Sequence, residues 1–210
     1  MIKRSIFIGL LACILLLGTA TVSWGYGVFG STDLMYTPTA NSLDAGSLGI
    51  SVNLSEGDLG YFNFDYGLFS DLEMGMVILT NPVDNTIRFR GKYTILQEAR
   101  NSPGLSIGIE NIGSESNISP YLVLSKAFPG SKIHGHIGVG GGNFHGIFGG
   151  LAVVFTNGSS RSVKKAELFL EADSWGTNVG AKLGIGSNTK INFGMTDLEN
   201  WMAGVTFVVN

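Results

Sequence analysis

The chain of 210 residues has a single cysteine, Cys13, so no intrachain disulfide can staple it and the fold must hold by burial and backbone pairing. Charge is scarce as well, at 14% of residues. A soluble surface usually carries roughly 25–35%. Lys and Arg number 13 against 16 Asp and Glu, a formal net charge of −3, which leaves no basic surplus for counterion release at nucleic acid. Prolines are five and histidines three. After residue 25 no window keeps a helical period, and the longest apolar run there, Ile147 to Phe155, has strand length and is interrupted by Gly149-Gly150. These shortages exclude a disulfide scaffold, a nucleic-acid binder and a helical bundle. What is abundant is apolar and flexible: 44% hydrophobic residues and 31 glycines, a β-type composition.

Residues 1–25 read as an export signal. Lys3 and Arg4 precede an apolar stretch from Ile6 to Leu17, followed by the small residues Gly18, Thr19, Ala20 and Ser23. About a dozen apolar residues fall short of the roughly 20 that span a bilayer as a helix, so cleavage near Ala20 or Gly25 is expected. Cys13 follows Leu11-Ala12, as in a lipoprotein processing site, but Ile14 to Leu17 continue the apolar run and assign Cys13 to the signal itself. Residues 26–46 then form an extended strap, and 47–210 the folded domain.

From Ser47 onward, apolar residues recur with period two between clusters of turn residues. The pattern predicts about twelve strands, at 47–54, 59–68, 72–80, 86–97, 104–112, 119–128, 132–142, 146–156, 165–173, 177–186, 190–196 and 201–209, with a range of ten to fourteen. Turn signals such as Ser55-Glu56-Gly57-Asp58, Pro129-Gly130-Ser131 and Gly186-Ser187-Asn188 separate them, and each proline falls outside a strand interior. Because side chains alternate across a strand, Ile87, Phe89, Tyr93 and Ile95 share one face and Arg88, Arg90, Lys92 and Thr94 the other. The same split sets Phe62, Phe64, Tyr66 and Leu68 against Tyr61, Asn63 and Asp65, and Leu168 and Leu170 against Glu167, Phe169 and Glu171.

Two architectures satisfy this alternation. A soluble barrel turns the apolar face inward, and a membrane barrel turns it to lipid. The export signal, the low charge and the short turns favour the second: an all-β, antiparallel, up-and-down transmembrane barrel of about twelve strands. Aromatics near the strand ends (Phe69, Tyr121, Phe128, Phe144, Phe155, Trp175, Trp201 and Phe207) fit two interfacial girdles. The expected location is the outer membrane, with lipid and the barrel-insertion machinery as partners and no nucleic acid. Two alternatives stay open: a soluble secreted barrel with Phe62, Phe64, Phe89 and Leu170 around an apolar ligand, and a membrane-embedded lipid hydrolase.

The segment from Gly30 to Leu48 resembles the start of the YjbH-like outer-membrane proteins associated with exopolysaccharide production, whose pattern is G-x-T-G-L, then P-T-A, then L-x-x-G-x-L. Thr32, Leu34, Pro38, Thr39, Ala40, Leu43 and Gly46 match it; Asp33 stands where that family has glycine. The motif covers about a tenth of the chain. The resemblance implies a barrel with a role in polysaccharide export, porin-like in form, with polysaccharide or export proteins as further partners. A small, polar Pro-Thr-Ala segment suits a strap that closes one mouth, enters the lumen as a plug, or tucks beneath the barrel as a linker.

The residues with chemical potential are sparse. Arg88, Arg90 and Lys92 form the densest basic stripe and Glu167, Glu171 and Asp173 the densest acidic one. Together with His134, His136 and Lys182 they are the candidates for the lumen, where the two stripes would either pair into an ionic core or set a field across a narrow conduit. His134 and His136 share a strand face, but no carboxylate stands at ligand spacing, so no metal site is expected. Gly138 to Gly142 lacks the Lys-Ser/Thr of a phosphate loop and suits close strand packing instead. No G-x-S-x-G elbow occurs, and His145 with Ser159 or Ser160 is the most that a hydrolase could draw on. No catalytic residue and no cofactor is expected.

Overall fold

The structure, a computed structural model, describes residues 30, 32–57, 59–81, 83, 85–113, 118–156 and 163–209. The expected signal segment, Ser159 and Ser160 lie outside them. Twelve strands run through the described residues: β1 (Leu48–Ser55), β2 (Leu59–Phe69), β3 (Leu72–Thr80), β4 (Asn85–Leu96), β5 (Gly104–Ile112), β6 (Ser119–Ala127), β7 (Ile133–Gly140), β8 (Gly146–Thr156), β9 (Val163–Ala172), β10 (Thr177–Ile185), β11 (Thr189–Thr196) and β12 (Asn200–Val209). Each boundary lies within two residues of the span predicted from the period-two pattern. A single 3₁₀ turn at Gly142–Phe144 interrupts the strand order among the described residues.

Each strand pairs antiparallel with its sequence neighbours, and β12 returns to β1 in register from Leu48↔Val209 to Ser55↔Met202, closing the barrel. Closure leaves no sheet edge, so the ladder satisfies the backbone groups of every strand. Twelve being even, the start of β1 and the end of β12 share one mouth. The connections β2–β3, β4–β5, β6–β7, β8–β9 and β10–β11 ring that mouth, and the other six ring the far mouth.

The apolar face points outward. Ile87, Phe89, Tyr93 and Ile95 of β4 are about half exposed, as are Leu168 and Leu170 of β9. Between them Arg90, Lys92 and Thr94 are buried inside. This arrangement removes the soluble-barrel alternative, because Phe64, Phe89 and Leu170, which would have formed its core, lie on the outer surface. The girdle expectation needs a correction too. Phe69, Phe128, Phe155, Trp175 and Trp201 are exposed, but Tyr121 and Phe144 face the lumen and stack there with Phe148, ring centroids 5.3 Å (Tyr121–Phe144) and 4.8 Å (Phe144–Phe148) apart. Inner-face glycines make the room: a Cβ on Gly138 would run into the Phe148 ring, and one on Gly108 into Tyr121.

Candidate functional site in the plugged lumen

Of the expected strap, residues 26–29 and 31 lie outside the described residues, and the part from Thr32 to Leu43 lies inside the barrel. Thr32, Asp33, Leu34, Met35, Thr37, Pro38, Thr39, Ala40 and Leu43 are all buried, Thr32 to 0% exposure. The segment folds back on itself, Leu34 N–H donating to the Thr37 carbonyl at 2.9 Å and Thr39 Oγ1 to the Thr32 carbonyl at 2.6 Å. It leaves through a turn in which Gly46 takes φ +83°, a conformation other residues adopt at a cost, and donates its N–H to the Gly67 carbonyl at 2.8 Å. The Asp44 carbonyl passes so close to Gly67 that any side chain there would displace it.

Hydrogen-bonding side chains from six strands hold this plug. On β9 the Glu171 carboxylate accepts the N–H groups of Met35 (3.1 Å), Tyr36 (2.8 Å) and Thr37 (3.1 Å), the Thr37 hydroxyl (2.7 Å) and the Asn178 amide (3.0 Å). Three successive backbone donors converging on one carboxylate make a nest of the kind that binds anions, here filled by the barrel wall. On β3 Glu73 accepts the Thr32 hydroxyl (2.9 Å) and the Leu43 N–H (2.9 Å). Ala40 donates its N–H to Ser125 Oγ at 2.8 Å, and its carbonyl accepts Ser106 Oγ at 2.7 Å and Thr94 Oγ1 at 3.2 Å, so β4, β5 and β6 grip one residue. Lys182 of β10 donates to the Asp33 carbonyl at 3.0 Å. Leu34 and Met35 pack with Tyr61, Val77, Ala152, Phe169 and Met202. Burial first, and then the neighbouring Tyr61, push the Tyr36 phenol well up, which keeps it neutral.

The ionic groups of the lumen serve the plug. Arg90 contacts Asp65 and lies 3.9 Å from Asp33; Lys92 lies 3.6 Å from Asp33 and 3.9 Å from Glu73, and also meets the Thr32 hydroxyl. Asp33 thus offsets both bases. A second group across the barrel joins Glu167 to Lys165 (3.5 Å) and Lys182 (3.7 Å).

The two stripes singled out in the sequence are therefore not each other's partners. Arg90 and Lys92 pair with Asp33, Asp65 and Glu73, whereas Arg88 donates to Asn111 Oδ1 at 3.2 Å. Glu167, Glu171 and Lys182 face the lumen. Asp173 lies past the strand, at the far mouth: it follows β9 in the turn to β10, where Oδ1 accepts the N–H groups of Trp175 (2.7 Å) and Gly176 (3.1 Å). The reason is strand length, since β9 ends at Ala172. His134 and His136 are half-buried on the inner face of β7, and among the described residues no three His, Cys, Asp or Glu side chains converge as metal ligands would. His145 sits in the β7–β8 turn with its ring edge-on to Trp175, 5.4 Å between centroids. Sequence reasoning missed Asp33, Asp65 and Glu73 as the partners of the basic stripe. Of these, Asp65 carried a signal, lying in the polar phase of β2.

No family model and no curated protein matches the chain. Among solved structures the chain is similar to the crystal structure of the N-terminal β-barrel domain of Pseudomonas aeruginosa OprF, at 15% sequence identity over 80% of this chain and 100% of that one, with a TM-score of 0.27. So slight a likeness assigns neither activity nor partner.

Proposed function

We propose that this protein is an outer-membrane barrel that carries its own plug and serves as a structural or export-associated component linked to exopolysaccharide secretion. The observation that carries this reading is the strap itself, seated in the lumen by Glu73, Glu171 and Ala40 while the outer wall is apolar. An apolar belt on a closed sheet belongs in lipid, where no edge or loop is left unsatisfied. The polysaccharide link rests on the matching residues Thr32, Leu34, Pro38, Thr39, Ala40, Leu43 and Gly46. Six of these seven are buried in the plug, so the motif is the part of the chain that decides whether the lumen is open. With the plug seated, Arg90 and Lys92 are taken up by carboxylates. With it withdrawn, Asp33 would leave both bases while Asp65 and Glu73 stay on the wall, and the charge so released on Arg90 and Lys92, together with Arg88, would face an anionic polymer.

Residues 26–210, folded in detergent, test this. The expected result is a β-type circular dichroism spectrum, a mobility difference between boiled and unboiled samples on a denaturing gel, aggregation without detergent, and silence in planar bilayers. A soluble monomer without detergent would refute the membrane barrel. A large steady conductance would refute the seated plug.

A further inference from the structure

A cavity of about 350 Å³ opens at the far mouth, above the tip of the plug. Its lining includes Glu110, Asp173 and Asp197, the aromatic rings of Tyr36, Phe144 and Trp175, and no lysine or arginine. Glu110 is the informative residue. It is 7% exposed, lines the cavity, and among the described residues has no hydrogen-bond or ion-pair partner, although Arg90 and Lys92 deeper in the lumen are committed to Asp33, Asp65 and Glu73. A buried carboxylate with no base in contact with it is costly for a fold that gains nothing from it.

The backbone is bent to put it there. The β4–β5 ladder slips between Phe89↔Ile112 and Gly91↔Ile109, and Asn111 takes φ +61°, so that the consecutive residues Glu110 and Asn111 both turn inward. Bulges of this kind re-aim side chains beside binding sites. Asn111 is then pinned by Arg88 and by Ser119 Oγ at 3.0 Å. On the rim, Trp175 is fixed by donating Nε1–H to the Asn143 carbonyl at 2.7 Å. Asp197 also has positive φ, at +51°, and donates its N–H to Asn178 Oδ1 at 2.9 Å.

We infer that this cup binds a small organic ammonium compound, its cationic head against Glu110 and its apolar groups against the rings of Tyr36, Phe144 and Trp175. The volume falls in the range of small-molecule sites. Carboxylate and aromatic faces together discriminate an ammonium group from a neutral isostere, because both attract its charge and the rings tolerate its methyl groups. A divalent metal is the poorer guest, since no three carboxylates or imidazoles converge among the described residues. The inference rests on the membrane-barrel reading, which places the cup at an aqueous mouth.

The test is calorimetric titration of residues 26–210 in a maltoside detergent, which carries no ammonium group. Choline is the probe and 3,3-dimethylbutan-1-ol, its uncharged isostere, the control. Saturable heat with choline, at millimolar concentration or below, and none with the alcohol are expected. Glu110→Gln, which keeps shape and removes the carboxylate, should weaken choline by about tenfold or more. Asp197→Asn, which tolerates the same backbone conformation, should weaken it less and serves as the second variant where Glu110→Gln folds poorly. No saturable heat with the parent, equal heats for choline and the alcohol, or unchanged binding in a folded Glu110→Gln would overturn the inference. The boiled and unboiled mobilities of the same samples report the barrel separately, so a failed site and a failed barrel are told apart.

Discussion

Glu171→Ala should release the plug without opening the barrel wall. The carboxylate is 1% exposed and takes three backbone N–H groups of the strap, from Met35, Tyr36 and Thr37, besides the Thr37 hydroxyl. Alanine leaves those three donors facing an apolar methyl in an enclosed lumen. Each unsatisfied buried donor costs about 1–3 kcal/mol, so the seated state loses roughly 3–9 kcal/mol relative to the withdrawn one. Water entering the vacated volume brings the loss towards the lower figure. About 3 kcal/mol is already more than a hundredfold in the seating equilibrium. Residues 26–210 contain no cysteine, so Ala40→Cys gives a single thiol inside the plug, at a position 2% exposed. Maleimide labelling of that thiol should be at least about a hundredfold faster with Glu171→Ala than without it. The unboiled gel mobility should show the wall still closed, and planar bilayers should now show channel events. Glu171→Gln should fall between, because one amide oxygen can serve only one of the two donor groups that the carboxylate oxygens divide between them. Unchanged labelling with a folded wall would refute the claim that Glu171 seats the plug.

Other perturbations probe other parts of the molecule. Asp65→Ala strips Arg90 of its contacting partner inside the lumen and should destabilise by about 3–5 kcal/mol, seen as a lower temperature for the mobility change. Lys126→Ala removes the more exposed 3.8 Å pair with Glu98 together with the hydrogen bonds that its ammonium donates to the Ala99, Arg100 and Ser102 carbonyls, and should cost about 1–2 kcal/mol in the same assay, less than Asp65→Ala. Phe89→Arg puts a charge on the outer face of β4, where the parent ring is 50% exposed, and should cost about 2–4 kcal/mol of insertion into liposomes if that face meets lipid mid-bilayer. Gly150→Val places a branched side chain where a Cβ would stand 2.7 Å from Leu34, and should raise labelling of the Ala40→Cys thiol as Glu171→Ala does.

What the sequence disclosed, and what it concealed, follows from the range of each interaction. Strands were legible because alternation is local: in β4 the run from Ile87 to Ile95 is enough to show that two faces differ. The plug's partners were not legible, because Glu73 meets Thr32 and Leu43, and Glu171 meets Met35 to Thr37, through a register that exists only once twelve strands have closed. Glu110 and Asn111 were hidden for a different reason. A bulge breaks the period on which strand reading depends, so an inward pair of neighbours looks like an ordinary inward-outward step. Glycine is the one signal that spans both scales. A Cβ on Gly150 would press on Leu34, and one on Gly194 would lie 3.0 Å from the Met35 sulfur. An open pore has no need of such inner-face glycines, since water accommodates any side chain. A lumen that must admit a folded segment does need them, opposite the bulky residues it receives. Glycine in the inward phase of a barrel strand, matched by Leu or Met in an adjoining strap, is therefore a physical criterion by which an amino-acid sequence alone can mark a barrel as plugged.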